Sequence, residues 1–135
     1  MSQSRIRKIF ESRLKTWADA RGISVAWDNT HYDPERILYL SSHLLPAPTV
    51  SDDLKGDHRL YSGVYQVSVH GVAREGPGAS EAVAELIQEL YPLNIRLTAD
   101  GLTVQIITPA SIGIAIQETA LYTVPVSFQY RADTI

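Results

Sequence analysis

The stretch Gly71-Val72-Ala73-Arg74-Glu75-Gly76-Pro77-Gly78 has the residue types of a phosphate-binding turn. Glycines between an extended segment and a helix let backbone N–H groups approach an anion closely. The Gly71/Gly76 spacing fits the first half of GxxxxGK[ST], but Pro77 stands where a lysine must reach the phosphates. A dinucleotide fingerprint started at Gly76-Pro77-Gly78 fails at its third glycine, where Glu81 sits. The stretch therefore reads as a tight strand-to-helix turn. His31, His43, His58 and His70 show no i,i+4 pair and no HExxH, so a helical metal site is not expected. Asp53, Asp57 and His58 carry atoms that hard cations accept, but they lie among Pro46, Pro48, Asp52 and Gly56, where solvated turn residues are ordinary. The adjacent carboxylates Asp52-Asp53 share that polar stretch, which is poorly suited to hold an acid and a base in fixed geometry. Ser62-Gly63 sits inside an alternating segment, without a GxSxG elbow. No catalytic set, cofactor site or metal site is expected, and the chain does not read as an enzyme.

Composition narrows the alternatives. The 135 residues, 44% hydrophobic and 20% charged, suit one globular domain spanning 1–135. Cysteine is absent, which excludes disulfides, a thiol nucleophile and thiolate-bound metals. No apolar run approaches the roughly 20 residues that span a bilayer, and Met1–Arg21 lacks a signal-peptide apolar region. The net charge of −3 argues against coating nucleic acid. That charge is unevenly placed. Residues 1–21 hold six of the twelve Lys and Arg against Glu11 and Asp19, giving +4, and the remainder is −7. The basic segment has the charge of an arm for an anionic partner, but also that of an ordinary solvated helix face.

The elements follow from periodicity. Ile6, Ile9, Phe10, Leu14 and Trp17 form one stripe on a helix over Ser4–Arg21, which Gly22 ends. Lys8, Lys15 and Asp19 fall opposite the stripe, and Glu11 stands four residues before Lys15, the favourable order for an ion pair. Ile23–Trp27 and Ile37–Ser41 read as strands around an Asp33-Pro34 turn. Ser42–His58 is too polar and too broken for a core element and is expected to be a protruding loop. Arg59–Val72 alternates, with Tyr65, Val67 and Val69 on one face and Gln66, Ser68 and His70 on the other. A helix over Ala79–Tyr91 buries Val83, Leu86, Ile87 and Leu90 and carries Glu81, Glu85 and Glu89 as an acidic rail. Ile95–Thr98 and Leu102–Ile107 flank a hairpin at Asp100-Gly101, and Ile112, Ile114 and Ile116 alternate in a further strand. The closing strand puts Tyr122, Val124, Val126, Phe128 and Tyr130 on one face, and Pro125 predicts an edge position or a bulge. The order α-β-β-loop-β-α-β-β-β-β gives an α+β fold, with two helices on one face of a largely antiparallel or mixed sheet. Its tyrosines sit on apolar faces without interleaved Lys or Arg, unlike an RNA-binding sheet. The acidic rail reads as a solvated face, or as the complement of the basic first helix of a neighbouring subunit.

This order resembles the tail terminator proteins of long-tailed bacteriophages, a family that includes the lambda-type minor tail protein U. The likeness spans about Ile6 to Asp133. It rests on the basic helix ending near Trp17 and Gly22, the strand Tyr61–Val72 leading through Gly76-Pro77-Gly78 to an Ala/Glu-rich helix, the hairpin, and the closing stretch from Tyr122 to Asp133. The resemblance implies a structural phage or prophage protein. Such proteins form a ring, typically a hexamer, that caps the tail tube, stops its polymerisation and joins the head. It implies self-association, contacts with tail-tube and head-completion proteins, and a place in the tail-neck region of a virion assembled in the host cytoplasm. It brings no catalytic residues, no cofactor and no membrane contact. Another neck or head–tail completion protein shares this size and order; a small-ligand or nucleic-acid binding module is the alternative from another class. Interface candidates are Arg5, Lys8 and Lys15 on the first helix, Asp52, Asp53, Lys55 and Asp57 in the polar stretch, Arg74 and Glu75 at the turn, and Glu81, Glu85 and Glu89.

Overall fold

Ile6, Phe10, Leu14 and Ala18 recur every fourth residue and bury fully, which makes α1 (Gln3–Arg21) an amphipathic helix. The computed structural model describes residues 3–27, 38–49, 60–72, 78–99, 101–117 and 121–133. Gly22, at φ 68°, closes the helix: its N–H donates to Asp19 O at 3.3 Å, and the Ile23 N–H donates to Ala18 O at 3.0 Å. This pair of bonds satisfies carbonyls of the last turn and needs a left-handed residue, which glycine supplies without a Cβ clash. Lys15 reaches forward to Asp19 (2.8 Å) rather than back to Glu11, which Arg7 approaches at 3.8 Å. Asp19 is the more solvated of the two carboxylates one turn from Lys15, so pairing there costs less desolvation.

Among the described residues, eight strands form one sheet: β1 (Ser24–Ala26), β2 (Tyr39–Pro46), β3 (Leu60–Val72), β4 (Arg96–Ala99), β5 (Leu102–Ile106), β6 (Ser111–Ile112), β7 (Ile116–Gln117) and β8 (Leu121–Asp133). A second helix, α2 (Gly78–Leu90), separates β3 from β4 in the chain. The strand order is β1-β2-β3-β8-β5-β4, with β6 and β7 also paired to β8. The β1/β2 pair is parallel and the other pairs are antiparallel. Register places Leu40, Ser42 and Leu44 opposite Val69, Val67 and Tyr65, and these opposite Val124, Val126 and Phe128. Directly opposed residues share a face, so three strands present one continuous core surface. Both helices cover it: Phe10 of α1 and Tyr91 at the end of α2 meet Tyr65, Phe128 and Tyr130 there. The fold is α+β, a mixed sheet with its two helices on one face.

Three further local expectations change, and a fourth concerns the closing strand. Ser42–Pro46 belongs to β2, not to a loop, because Ser42 is fully buried and bonded to the Tyr65 hydroxyl on β3. A buried hydroxyl with a partner costs little, and that partner is invisible from local sequence. The stretch from 50 to 59, the Asp33-Pro34 turn and residues 73–77 lie outside the described residues. The stripe of α2 is Ser80, Ala84 and Ile87, with Val83 and Leu90 half-buried against the core as expected, while Leu86 is 37% exposed. Gly71 explains the rotation: a Cβ there would lie 2.1 Å from Ser80 Oγ, so small residues let helix and strand approach. The isoleucine stretch is divided between β6 and β7 instead of forming one strand, and Ile112, Ile114 and Ile116 are exposed.

The closing strand is interior, not an edge. Its length is paired with β3 on one side and with β7, β6 and β5 in turn on the other. Pro125 O accepts from the Gly113 N–H at 2.8 Å, so the proline nitrogen faces that second side too. Pairing is interrupted there between β6 and β7, so the missing donor falls where the ladder already breaks. Gly113 permits the crossing, since a Cβ on it would meet Pro125 Cγ at 3.1 Å.

The buried phenols make stability pH-dependent at the alkaline end. Burial pushes Tyr130 up to about 12, and burial together with the neighbouring Tyr65 raises Tyr91 well above the usual phenol range. Unfolded tyrosines ionise at about 10, so above that pH the folded chain keeps protons that the unfolded chain gives up. The stability these phenols contribute is complete below about pH 10 and is lost as pH rises through the folded values. Urea midpoints measured between pH 8 and pH 11.5, roughly bracketing the phenol range, should fall at the alkaline end. Tyr91→Phe should make that fall shallower; an unchanged alkaline slope would contradict the assignment.

Candidate functional site

The first helix sets three cations along one flank. Arg5 and Lys8 are exposed, and the Arg13 Nε donates to Leu90 O at 2.7 Å, which fixes its guanidinium between the helices. Together with Ile9 and Ser12 of α1 and with Leu97 and Thr98 of β4 they line a groove of about 640 Å³ that is half polar and carries three cations. Lys15 does not join them. It is paired with Asp19 at a second cleft of about 610 Å³, beside Ile23, Val25 and Trp27 along β1. Arg21 stacks over Trp17 at 4.7 Å, so this cation covers apolar surface as its place beside the stripe implied.

Glu81, Glu85 and Glu89 are exposed one turn apart on α2, and no ion pair reaches them among the described residues. Arg5 and Lys8 are likewise without an ion pair among those residues. The structure thus brings Arg5 and Lys8 into one groove, sets the three glutamates on a separate surface, and leaves Lys15 apart from both. Asp52, Asp53, Lys55, Asp57, Arg74 and Glu75 lie outside the described residues. Gly71, the first glycine of the turn, serves the packing of Ser80 against β3.

Sequence reasoning missed a polar clasp on the face opposite the core. His70 Nε2 lies 2.8 Å from Ser41 Oγ, its Nδ1 lies 2.9 Å from Thr123 Oγ1, and its ring stacks on Tyr39 at 4.6 Å. A serine bonded to histidine has the connectivity of a nucleophile and its base. Here a hydroxyl rather than a carboxylate holds the second ring nitrogen, and a hydroxyl stabilises an imidazolium far less. The trio ties β2, β3 and β8 together across the sheet. Only the outward alternation of His70 hinted at it, since Ser41 and Thr123 become its neighbours through register.

No described helix is long and apolar enough to cross a membrane, and no three metal-ligating side chains gather among the described residues. A search of curated proteins returns no match. One solved structure aligns with TM-score 0.83 and 41% identity over 98% of this chain and 96% of its own. A chain from the virion of a native gene transfer agent particle shares the fold, with TM-score 0.65 and 16% identity over 95% of this chain and 94% of its own. The family model described as phage tail terminator protein matches residues 5–130. That match takes in both helices and all of the sheet up to the last residues of β8, and the chain belongs to the phage tail terminator family.

Proposed function

We propose that this protein, as a single domain, caps the phage tail tube as an oligomeric ring, stops its polymerisation and presents the surface to which the head is joined. The observation that carries the reading is the family match over residues 5–130. The family consists of structural phage proteins, and the ring, a hexamer on the family pattern, follows from that resemblance. Ring closure needs two different patches per subunit. The cationic groove beside α1 and the acidic face of α2 are two such patches on one chain. Its partners are further copies of itself, the tail-tube protein and a head-completion protein, and its place is the tail-neck region of a virion assembled in the host cytoplasm. The test is polymerisation of the tail-tube protein with and without this chain: bound at the growing end, it should arrest elongation while leaving existing tubes intact.

A further inference from the structure

We infer that the α2 face of one copy, carrying Glu81, Glu85 and Glu89, docks into the groove lined by Arg5, Lys8 and Arg13 of the next copy. The inference rests on the ring reading above and names the contact that would build it. Charge complementarity carries it. Three carboxylates at successive turns of α2 span about 12 Å, and the cations from Arg5 to Arg13 span about the same length of α1. Among the described residues the glutamates, Arg5 and Lys8 make no ion pair, and Arg13 makes a backbone hydrogen bond.

The apolar parts also correspond. The groove is lined in part by Ile9 and Leu97, each half-buried, and α2 offers Leu86, 37% exposed and one turn before Glu89. A helix laid in that groove would cover Leu86 while its carboxylates meet Arg5, Lys8 and Arg13. The two patches are different surfaces of one chain, so the contact is heterologous, the type that propagates into rings or filaments. The occupant is therefore a second copy of this chain.

The test uses charge reversal with rescue, read by sedimentation over a concentration series at low and moderate salt. Glu85→Lys with Glu89→Lys, and separately Arg5→Glu with Lys8→Glu, should each weaken self-association about 100-fold, since like charges across an interface cost several kcal/mol. All four side chains are exposed, and the fold of each variant is to be checked by circular dichroism before sedimentation. An equimolar mixture of the two variants, and a chain carrying all four changes, should both regain the wild-type assembly. Added salt should weaken the wild type as the charges are screened. Reversals that leave the assembly unchanged, or a loss that neither mixture nor fourfold swap repairs, would overturn the contact while leaving a ring built elsewhere intact. A wild type monomeric at every concentration would overturn it too, whereas the capping reading is decided separately by the length of tail tubes.

Discussion

Phe10→Ala should destabilise the protein by about 3–5 kcal/mol, the range for truncating a buried aromatic. Phe10 is fully buried and is the ring shared by four others. Its centroid lies 5.0 Å from Tyr65, 5.2 Å from Phe128, 5.5 Å from Tyr130 and 6.0 Å from Tyr91. Three of these contacts are edge-to-face, an arrangement that aromatic quadrupoles favour. The loss combines the transfer energy of the ring with the cavity it leaves. Collapse is opposed because Tyr91 donates to Phe10 O at 2.8 Å and Tyr130 donates to Gln3 Oε1 at 2.6 Å, which fix both neighbours to α1. Against a total stability of about 5–15 kcal/mol, this is a large fraction. Urea unfolding should report it, with Phe10→Leu retaining most of the difference. A loss below about 1 kcal/mol would mean that the site closes over the gap, contrary to the fixed hydroxyls.

Gly63→Ala should cost about 3 kcal/mol although it adds one methyl group, at the upper end for overpacking. Gly63 pairs with Tyr130 across β3 and β8 and faces the core. A Cβ there would lie 2.5 Å from Leu45 O, 2.6 Å from the Tyr130 hydroxyl and 2.9 Å from Tyr130 Cζ. The first of these is backbone of β2, and the phenol is held by Gln3, so neither can yield cheaply. Gly78→Ala is the control: nothing lies within 4 Å of its Cβ position, and alanine favours the helix it begins. Thermal unfolding should separate the two, with a clear drop for Gly63→Ala and none for Gly78→Ala. Equal midpoints would contradict the close approach of β2, β3 and β8 at this glycine.

The parts legible in the sequence were those set by near neighbours. The four-residue recurrence of Ile6, Phe10 and Leu14 and the stop at Gly22 depend on one helix and its cap. Alternation in β3 and β8 was equally plain, because Tyr65, Val67 and Val69 meet Phe128, Val126 and Val124 on one face. What local pattern could not supply was pairing. Ser42 reads as loop until Tyr65 is placed beside it, and Pro125 reads as an edge until the break between β6 and β7 is placed opposite its nitrogen. The burial of Ser80 in place of Leu86 likewise follows from Gly71 on another element. The charged candidates were legible as types, the basic helix and the acidic rail, since exposure of a helical face follows from its stripe. That Arg5 and Lys8 share a groove with Leu97 while Lys15 does not was settled by β4 lying beside the first half of α1.

Capping of a tail tube is decided by the length of tubes grown with this protein present. Tail-tube protein would be polymerised with increasing amounts of the chain, and tube lengths scored by electron microscopy. A capping protein should shorten the tubes and stop their growth at amounts far below one copy per tube subunit, with extra density at one end of each arrested tube. Tubes of unchanged length and bare ends, in the presence of excess folded protein, would contradict it.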